Sequence, residues 1–217
     1  MKIWHYYHVY AVEGWERIVD EHLDALESSG LAEVCDFRIG VVGDLESVGQ
    51  VWLRCNSRIK TTLVAYAHEG WEQVTLNRLY DDCKWTPRAD EDVLVLYAHT
   101  KGVSVQTDFN DEWRASMTRK LIGNWRLCTR LLKEGNEAVG CHWLTPEAFP
   151  EQVGIPFFGG NFWWTRPEVL LRSGPPSMST RYDAESWLGS RPLGKVYDRL
   201  PGWPGTDLFR QGDTTFA

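Results

Sequence analysis

The sequence predicts a single α/β domain in which a mostly parallel central sheet is flanked by helices. Strand-like and helix-like segments alternate along the chain, and the clearest strand signal is the short apolar run over 92–98, which follows a polar turn. A length of 217 residues suits one domain with a sizeable core. We therefore predict one domain over 1–217, with residues from about 190 onward wrapping its surface.

Hydrophobic spacing predicts the elements of the first half. Aromatic and valine residues indicate strands, whereas apolar residues three and four positions apart indicate helices. The predicted elements are a strand over 3–10, a helix over 15–26 that stops before Gly30, a strand over 34–42, an ambiguous stretch over 51–67, a helix over 71–84 and the strand over 92–98.

The second half starts with a long helix that Asn110 can cap, with an apolar stripe as far as Leu132 and a stop at Gly135. The remaining predictions are a strand over 138–144, a loop over 146–156, an extended segment over 157–165, and short helices from Pro167 and over 182–188.

Composition argues against several classes of protein. The net charge of −7 argues against a generic nucleic-acid binder, which would neutralise phosphates with clustered Lys and Arg, although a local basic cleft stays compatible with it. The 5 cysteines are odd in number and lack C-x-x-C spacing, which favours reduced thiols over disulfides or a zinc site. The histidines form no H-E-x-x-H pattern, so no zinc enzyme is predicted.

The N-terminal stretch MKIWHYYHVY is too polar and too short for the apolar region of a signal peptide. No window approaches the roughly 18 apolar residues of a membrane span. We therefore expect a cytoplasmic protein without a membrane span.

A polar cluster ends the apolar run VLVLYAHTKG. Lys101 offers a point charge, Thr100 a hydroxyl and His99 a ring donor, while Gly102 allows close approach of a ligand. Together these groups suit a phosphate or diphosphate, and Arg114 can add a forked donor. The alternatives are a solvated turn with a surface lysine and an exposed helix arginine.

Two later segments carry further candidates. In GGNFWWTR, Gly160 and Asn161 suit a wall against which a sugar ring lies, and Trp163 and Trp164 face opposite ways in a strand, so that one can line a cleft. The alternative is a glycine bulge in a core strand. In RYDAESW, Asp183 or Glu185 can act as a general base, or Asp183 can simply cap a helix.

In α/β sheets ligands bind beyond the carboxyl ends of the strands. That rule places Tyr10, Ala11 and Asp44 in the same neighbourhood as the HTKG cluster.

Taken in order, the segments HVYAVEGWERIVDEHLDALESSGL, WEQVTLNRLYDD, YAHTKG, DEWRASM, GGNFWWTR and RYDAESW resemble a family of small glycosyltransferase-like proteins found in bacteria, algae and viruses, phages included. The resemblance covers residues 3 to 190. It implies a compact GT-A fold, which is a Rossmann-like nucleotide-sugar-binding sandwich.

The resemblance implies a nucleotide-sugar donor whose nucleotide contacts Tyr10, Ala11 and Asp44. Many GT-A enzymes hold Mg²⁺ or Mn²⁺ with an Asp-x-Asp motif after the fourth strand, where this sequence instead has His99-Thr100-Lys101. No metal-ligating residue is therefore predicted, and dependence on a divalent metal stays open.

The resemblance further implies an inverting transfer with Asp183 or Glu185 as base. Gly160, Asn161, Trp163 and Arg181 would then border the sugar or the acceptor.

Several functions stay open at this point, among them a hydrolase that uses Asp183 and Glu185. The first is sugar transfer to a glycan, lipid or small-molecule hydroxyl, and the second is transfer to a hydroxymethylated DNA base. For the second, a basic cluster flanking the cleft would consist of Arg166, Arg172, Arg181 and Arg191. The third is a non-catalytic sugar- or nucleotide-binding module.

Overall fold

The structure is a computed structural model that describes residues 1–85, 92–177, 179–180 and 182–204. In chain order its elements are β1 (Lys2–Tyr10), α1 (Trp15–Ser28), β2 (Cys35–Val42), α2 (Leu45–Asn56), β3 (Thr61–Ala67), α3 (Gln73–Trp85), β4 (Val93–His99), α4 (Asp108–Thr118), a π-helical turn (Arg119–Gly123), α5 (Trp125–Lys133), β5 (Ala138–Gly140), β6 (Trp143–Leu144), β7 (Phe157–Phe158), β8 (Trp163–Thr165), α6 (Pro167–Ser173), α7 (Asp183–Ser186) and β9 (Val196–Asp198).

A seven-stranded sheet has the order β3-β2-β1-β4-β8-β5-β9, and β6 and β7 form a separate pair. Strands β3, β2, β1 and β4 are parallel, whereas β8 runs antiparallel to both β4 and β5. The predicted fold class, a mostly parallel sheet flanked by helices, is confirmed. From β1 the chain first builds outward to β3 and then returns to add β4 on the other side, so a topological switch point lies between β1 and β4.

Alternation along β1 divides the core between the two faces of the sheet. Ile3, Tyr7 and Val9 pack in one buried cluster, while Trp4 and Tyr6 belong to the cluster on the opposite face. The first cluster includes residues of α1, α2 and α5, and the second includes residues of α3 and α6. Both faces of the central strands are therefore covered, as parallel sheets require.

Some sequence-based boundaries are wrong. The run VWLRC, which was ambiguous, is helical, because Val48, Val51 and Cys55 are buried at helical spacing in α2. Asn110 does not cap α4; Thr107 does, with its hydroxyl accepting from the Asn110 N–H at 3.2 Å. The predicted long helix is interrupted by the π-helical turn before α5.

The later predicted strands are also shorter than expected. The stretch over 138–144 divides into β5 and β6, and the extended segment over 157–165 divides into β7 and β8 around a turn at Asn161, whose φ is 53°. Residues 196–198 do not simply wrap the surface, because β9 pairs with β5 as an edge strand.

Within the described residues, no helix is both long enough and apolar enough to cross a membrane.

Buried histidines make stability depend on pH. His5 Nε2 lies 2.7 Å from His22 Nε2, and the His22 ring stacks on Tyr7 at 3.8 Å. Burial lowers the pKa of His5 to about 3, that of His8 to about 4, and that of His22 well below 6.5. In the unfolded chain these groups titrate near their ordinary pKa of about 6.5, so between pH 6.5 and 4 the unfolded state binds more protons than the folded state.

We therefore expect the free energy of unfolding to be highest above pH 6.5 and to fall as pH falls toward 4, by up to about 1.4 kcal/mol per pH unit for each histidine. Urea unfolding at a series of pH values measures this slope. His22→Gln should reduce it, whereas His68→Gln, at an exposed position, is the matched control. Equal slopes in His22→Gln and the wild-type protein would contradict this account.

Candidate functional site

A cavity of about 350 Å³ opens at the carboxyl edge of the sheet, at the switch point between β1 and β4. We call it the switch-point cleft. Its lining comprises His8 and Tyr10 from β1, residues 70–72 before α3, His99 at the end of β4, residues 100–105 after it, Asn110, and Glu185 of α7. The structure therefore brings the HTKG cluster and one of the two predicted acids into a single cavity.

Thr100 and Gly102 shape the loop after β4. The Thr100 N–H donates to the His8 carbonyl at 3.0 Å, and the Thr100 hydroxyl accepts from the Tyr10 N–H at 3.0 Å, so Thr100 joins the ends of β1 and β4. Gly102 has a φ of 85°, and a Cβ there would lie 2.8 Å from Asn110 Cβ. Only glycine fits this turn without strain.

Lys101 is held at the cleft by contacts on both its side chain and its backbone. Its Nζ lies 4.1 Å from the centroid of the Trp113 ring, which is a cation–π geometry. Its carbonyl accepts a hydrogen bond of 2.8 Å from Arg114 Nη1. The ammonium group thus has a defined position on the cleft wall.

Arg114 is neither an exposed helix arginine nor part of the cleft lining. It is 4% exposed, and its guanidinium donates to Glu21 at 2.7 Å and to Asp111 at 2.8 Å besides the Lys101 carbonyl. Two carboxylates and a carbonyl thus occupy the guanidinium, and the contact of Arg114 with a diphosphate stays a prediction. Its observed role is to hold the loop that carries Lys101.

Glu72 is a site residue that the sequence reasoning missed. Its Oε2 accepts from the Tyr97 hydroxyl at 2.8 Å and from Asn161 Nδ2 at 2.7 Å, and its Oε1 lies 3.6 Å from His99 Nδ1. The opposite ring nitrogen, His99 Nε2, donates to the Gly160 carbonyl at 2.9 Å. His99 is thus oriented by protein groups at both nitrogens while it lines the cleft. An acidic residue just before a helix gives no sequence signal of this role.

Asn161 and Trp163 organise the interior. Each side chain is 1% exposed, and Trp163 Nε1 donates to Asn161 Oδ1 at 2.7 Å. Trp164 faces the other way, as predicted, but it too is fully buried, because β8 lies inside the sheet with side chains packed on both faces. These three side chains line neither the switch-point cleft nor the second cavity described below, and their contact with a sugar stays a prediction. The neighbouring Gly159 and Gly160, the latter with a φ of 85°, do line that second cavity.

The two predicted acids have different environments. The Asp183 carboxylate accepts from the Ser177 hydroxyl at 2.7 Å, and from the Thr180 N–H and hydroxyl at 2.9 Å each. These partners precede α7, so the Asp183 side chain holds the preceding loop and does not cap the helix. These hydrogen bonds, led by that of Ser177, hold the pKa of Asp183 below its usual range. Glu185 instead lines both the switch-point cleft and a second cavity of about 460 Å³.

The predicted nucleotide contacts lie at the same edge of the sheet. Tyr10 is 38% exposed and lines the cleft. Ala11 closes the strand end by donating its N–H to the Val42 carbonyl at 2.8 Å. Asp44 caps α2 through the Ser47 N–H at 2.7 Å, and this hydrogen bond holds the pKa of Asp44 below its usual range. Arg181 lies outside the described residues.

The predicted basic cluster does not line the cleft in the described part of the chain. Arg166 donates to the carbonyls of Leu132 and Asn136, and Arg172 forms a 2.7 Å ion pair with Glu137. Both guanidinium groups therefore have protein partners next to β5. Arg191 is exposed and is not among the residues of the cleft lining.

Donor groups for a divalent metal are dispersed. Among the described residues, no three or more His, Cys, Asp or Glu side chains form a group that could hold a metal ion. Within the cleft, His8 Nδ1 is bonded to the Thr75 hydroxyl at 2.7 Å, and Glu72 is already bonded to Tyr97 and Asn161. The described residues therefore do not fit a metal centre by themselves.

Comparison with solved structures gives similarities at low identity. 4-Diphosphocytidyl-2C-methyl-D-erythritol synthase from Anaerococcus prevotii is 10% identical, with 93% of this chain and 90% of that chain covered and a TM-score of 0.47. Mannosyltransferase PcManGT from Pyrobaculum calidifontis, in complex with GDP-Man and Mn²⁺, is 14% identical over 90% of this chain and 54% of that chain, with a TM-score of 0.49. TarS from S. aureus is 9% identical over 92% and 61%, with a TM-score of 0.45.

A search of curated proteins found no match to this sequence. The model of one protein family, described as Domain of unknown function (DUF8361), matches residues 6–168, a range that runs from β1 into α6 and contains the ends of β1 and β4 that form the cleft. The chain belongs to this family, DUF8361.

Proposed function

We propose that the protein is a glycosyltransferase that moves a sugar from a nucleotide-sugar donor to an acceptor hydroxyl with inversion. One observation carries the proposal: the cation of Lys101 and the carboxylate of Glu185 come from different elements but line the same cleft at the topological switch point. The resemblance of the HTKG, GNFWW and RYDAESW segments to small glycosyltransferase-like proteins supports the same reaction class.

In this mechanism the donor diphosphate lies against the loop over 99–105. Negative charge develops on the leaving diphosphate as the glycosidic bond breaks, and a cation already in position stabilises that charge more than it stabilises the bound donor. Lys101 supplies the cation. Its contact with Trp113 and the Arg114 bond to its carbonyl hold it in place, so little reorganisation accompanies the reaction.

Glu185 accepts the proton of the acceptor hydroxyl as that oxygen attacks the sugar carbon from the side opposite the diphosphate. The new C–O bond forms as the old one breaks, which inverts the configuration. We assign Glu185 rather than Asp183 because Glu185 lines the switch-point cleft together with Lys101, whereas Asp183 is not part of that lining.

The nucleotide would lie toward the ends of β1 and β2. Tyr10 and Trp71 are 38% and 49% exposed at the cleft, and their rings offer faces on which a base can stack. Ala11 and Asp44 lie at the same edge. The free thiols of all 5 cysteines suit a reducing, cytoplasmic location.

A non-catalytic nucleotide- or sugar-binding module is the second candidate. The described residues contain no group of three or more His, Cys, Asp or Glu side chains that could hold a metal ion. Lys101 would then stabilise most of the charge on the leaving diphosphate, whereas a module that only binds needs no such stabilisation.

Both candidates predict binding, but only the first predicts turnover. We expect one class of nucleoside diphosphate to raise the melting temperature, because a ligand that binds only the folded state stabilises it. Thermal shift with UDP, GDP, CDP and dTDP, with Mn²⁺ or with EDTA, measures this and the metal requirement together.

The matching nucleotide sugars are then assayed for released nucleotide with mixed sugar acceptors. Release identifies the transferase, and binding without release under any condition identifies the module. Absence of any shift with all four nucleotides would contradict both candidates.

A further inference from the structure

A second cavity, of about 460 Å³, lies beside the switch-point cleft, and we call it the aromatic cavity. Glu185 lines both cavities, and Trp113, which lies under the Lys101 ammonium, lines the aromatic cavity. Under the proposed function, a group bound here would lie against Glu185, the base, and against the Trp113 ring on which the Lys101 ammonium packs. The aromatic cavity is therefore next to both reacting groups, which suits an acceptor.

The walls of the aromatic cavity are mostly apolar. Aromatic faces come from Trp113, Phe157, Tyr182 and Trp203. Gly160 adds a wall without side-chain bulk, and a Cβ there would lie 2.7 Å from Met117 Sδ. Flat rings on several sides of a cavity suit a ligand that has an apolar face and polar edges.

The charges of the aromatic cavity select against anions. Asp183 and Glu185 are its charged side chains, and no Lys or Arg belongs to its described lining. A phosphate or carboxylate bound beside these two carboxylates would be repelled, whereas the Lys101 ammonium on the Trp113 ring belongs to the lining of the switch-point cleft. DNA recognition depends instead on cations that meet the phosphates.

We propose that the aromatic cavity binds the acceptor and that the acceptor is a neutral carbohydrate or glycoside, not a nucleic acid or an anionic sugar. This inference rests on the proposed function, because only a transferase has an acceptor. The binding itself can be measured without any donor. The stacking faces recognise the C–H surface of a sugar ring, and Glu185 receives the hydroxyl proton.

The test compares two ligands that differ in one charge. Calorimetric titration of the wild-type protein with 4-nitrophenyl glycosides of glucose, galactose and mannose should detect binding of at least one. The 4-nitrophenyl glucuronide should bind about tenfold or more weakly than the glucoside. Maltotriose, cellotriose and mannotriose in a separate arm distinguish a free glycan end from an aryl glycoside.

Variants connect the binding to the aromatic cavity. Trp203→Ala and Tyr182→Ala should each weaken glycoside binding by about tenfold, because each removes one stacking face. Tyr66→Ala removes a ring that is 56% exposed on the edge strand β3, far from the aromatic cavity in the sheet order, and should change nothing. Gln152→Lys, which adds a cation to the lining, should bring glucuronide binding up toward that of the glucoside.

The outcomes separate the inference from the proposed function. Glycoside binding that is sensitive to Trp203→Ala, without turnover of any nucleotide sugar, supports binding of a neutral carbohydrate in the aromatic cavity and contradicts the proposed transferase activity. Transfer to an oligonucleotide with hydroxymethylated bases, unaffected by Trp203→Ala, supports the proposed transferase activity and overturns the inference about the acceptor. Equal binding of glucuronide and glucoside, or no glycoside binding at all, also overturns it.

Discussion

Replacing Glu185 by Gln is expected to lower turnover by about 10²- to 10⁴-fold, the usual contribution of a positioned general base. The amide has nearly the same shape as the carboxylate but cannot accept the hydroxyl proton. Donor affinity should change little, because Glu185 acts on the acceptor side of the cleft. Single-turnover kinetics with the donor identified by thermal shift separate the two effects.

The matched control is Asp183→Asn, two residues earlier on the same short helix. Its carboxylate accepts from Ser177 and Thr180. We therefore expect a lower melting temperature for Asp183→Asn and turnover close to that of the wild-type protein. If Asp183→Asn lost turnover as severely as Glu185→Gln, or if Glu185→Gln kept full activity, the assignment of the base would fail.

Replacing Lys101 by Ala is expected to cost about 10²- to 10³-fold in turnover, comparable to the loss of one preorganised group that stabilises developing charge. Nucleoside diphosphate affinity should fall as well, since the ammonium also meets the diphosphate before the bond breaks. Lys101→Arg should recover part of both losses, because it keeps the charge and can still stack on Trp113.

Lys84→Ala is the control for Lys101→Ala. Lys84 Nζ lies 4.4 Å from the centroid of the Tyr80 ring, so this variant also removes a lysine that packs on an aromatic face. Lys84 is near the end of α3, whereas the cleft is next to the start of that helix. Full donor affinity and turnover in Lys101→Ala would contradict the proposed contact of Lys101 with the diphosphate. Equal losses in Lys84→Ala would instead indicate a general effect on folding.

The local patterns of the sequence were sufficient for β1, β2 and β4 and for one wall of the cleft. The run VLVLYAH forms β4 as Val93–His99, and its polar ending lies at a cavity because the carboxyl ends of parallel strands share one edge of the sheet.

Residues whose surroundings come from distant segments could not be assigned in this way. Trp163 and Trp164 have the predicted alternation, yet neither lines a cleft, because the reversed strand β8 lies between β4 and β5. Glu72 looks like an ordinary acid before a helix. Only the packing of that helix against the sheet places it beside Tyr97, His99 and Asn161.

By itself, the sequence determined the alternation of strands and helices, the α/β class and the cationic ending of β4, because these follow from spacing along a few neighbouring residues. Tertiary structure alone decided that Arg114 would pair with Glu21, 93 positions earlier in the chain, and that Glu185 would line the cleft with Lys101. Burial and charge pairing depend on which segments of the chain are in contact, and the order of strands in the sheet determines those contacts.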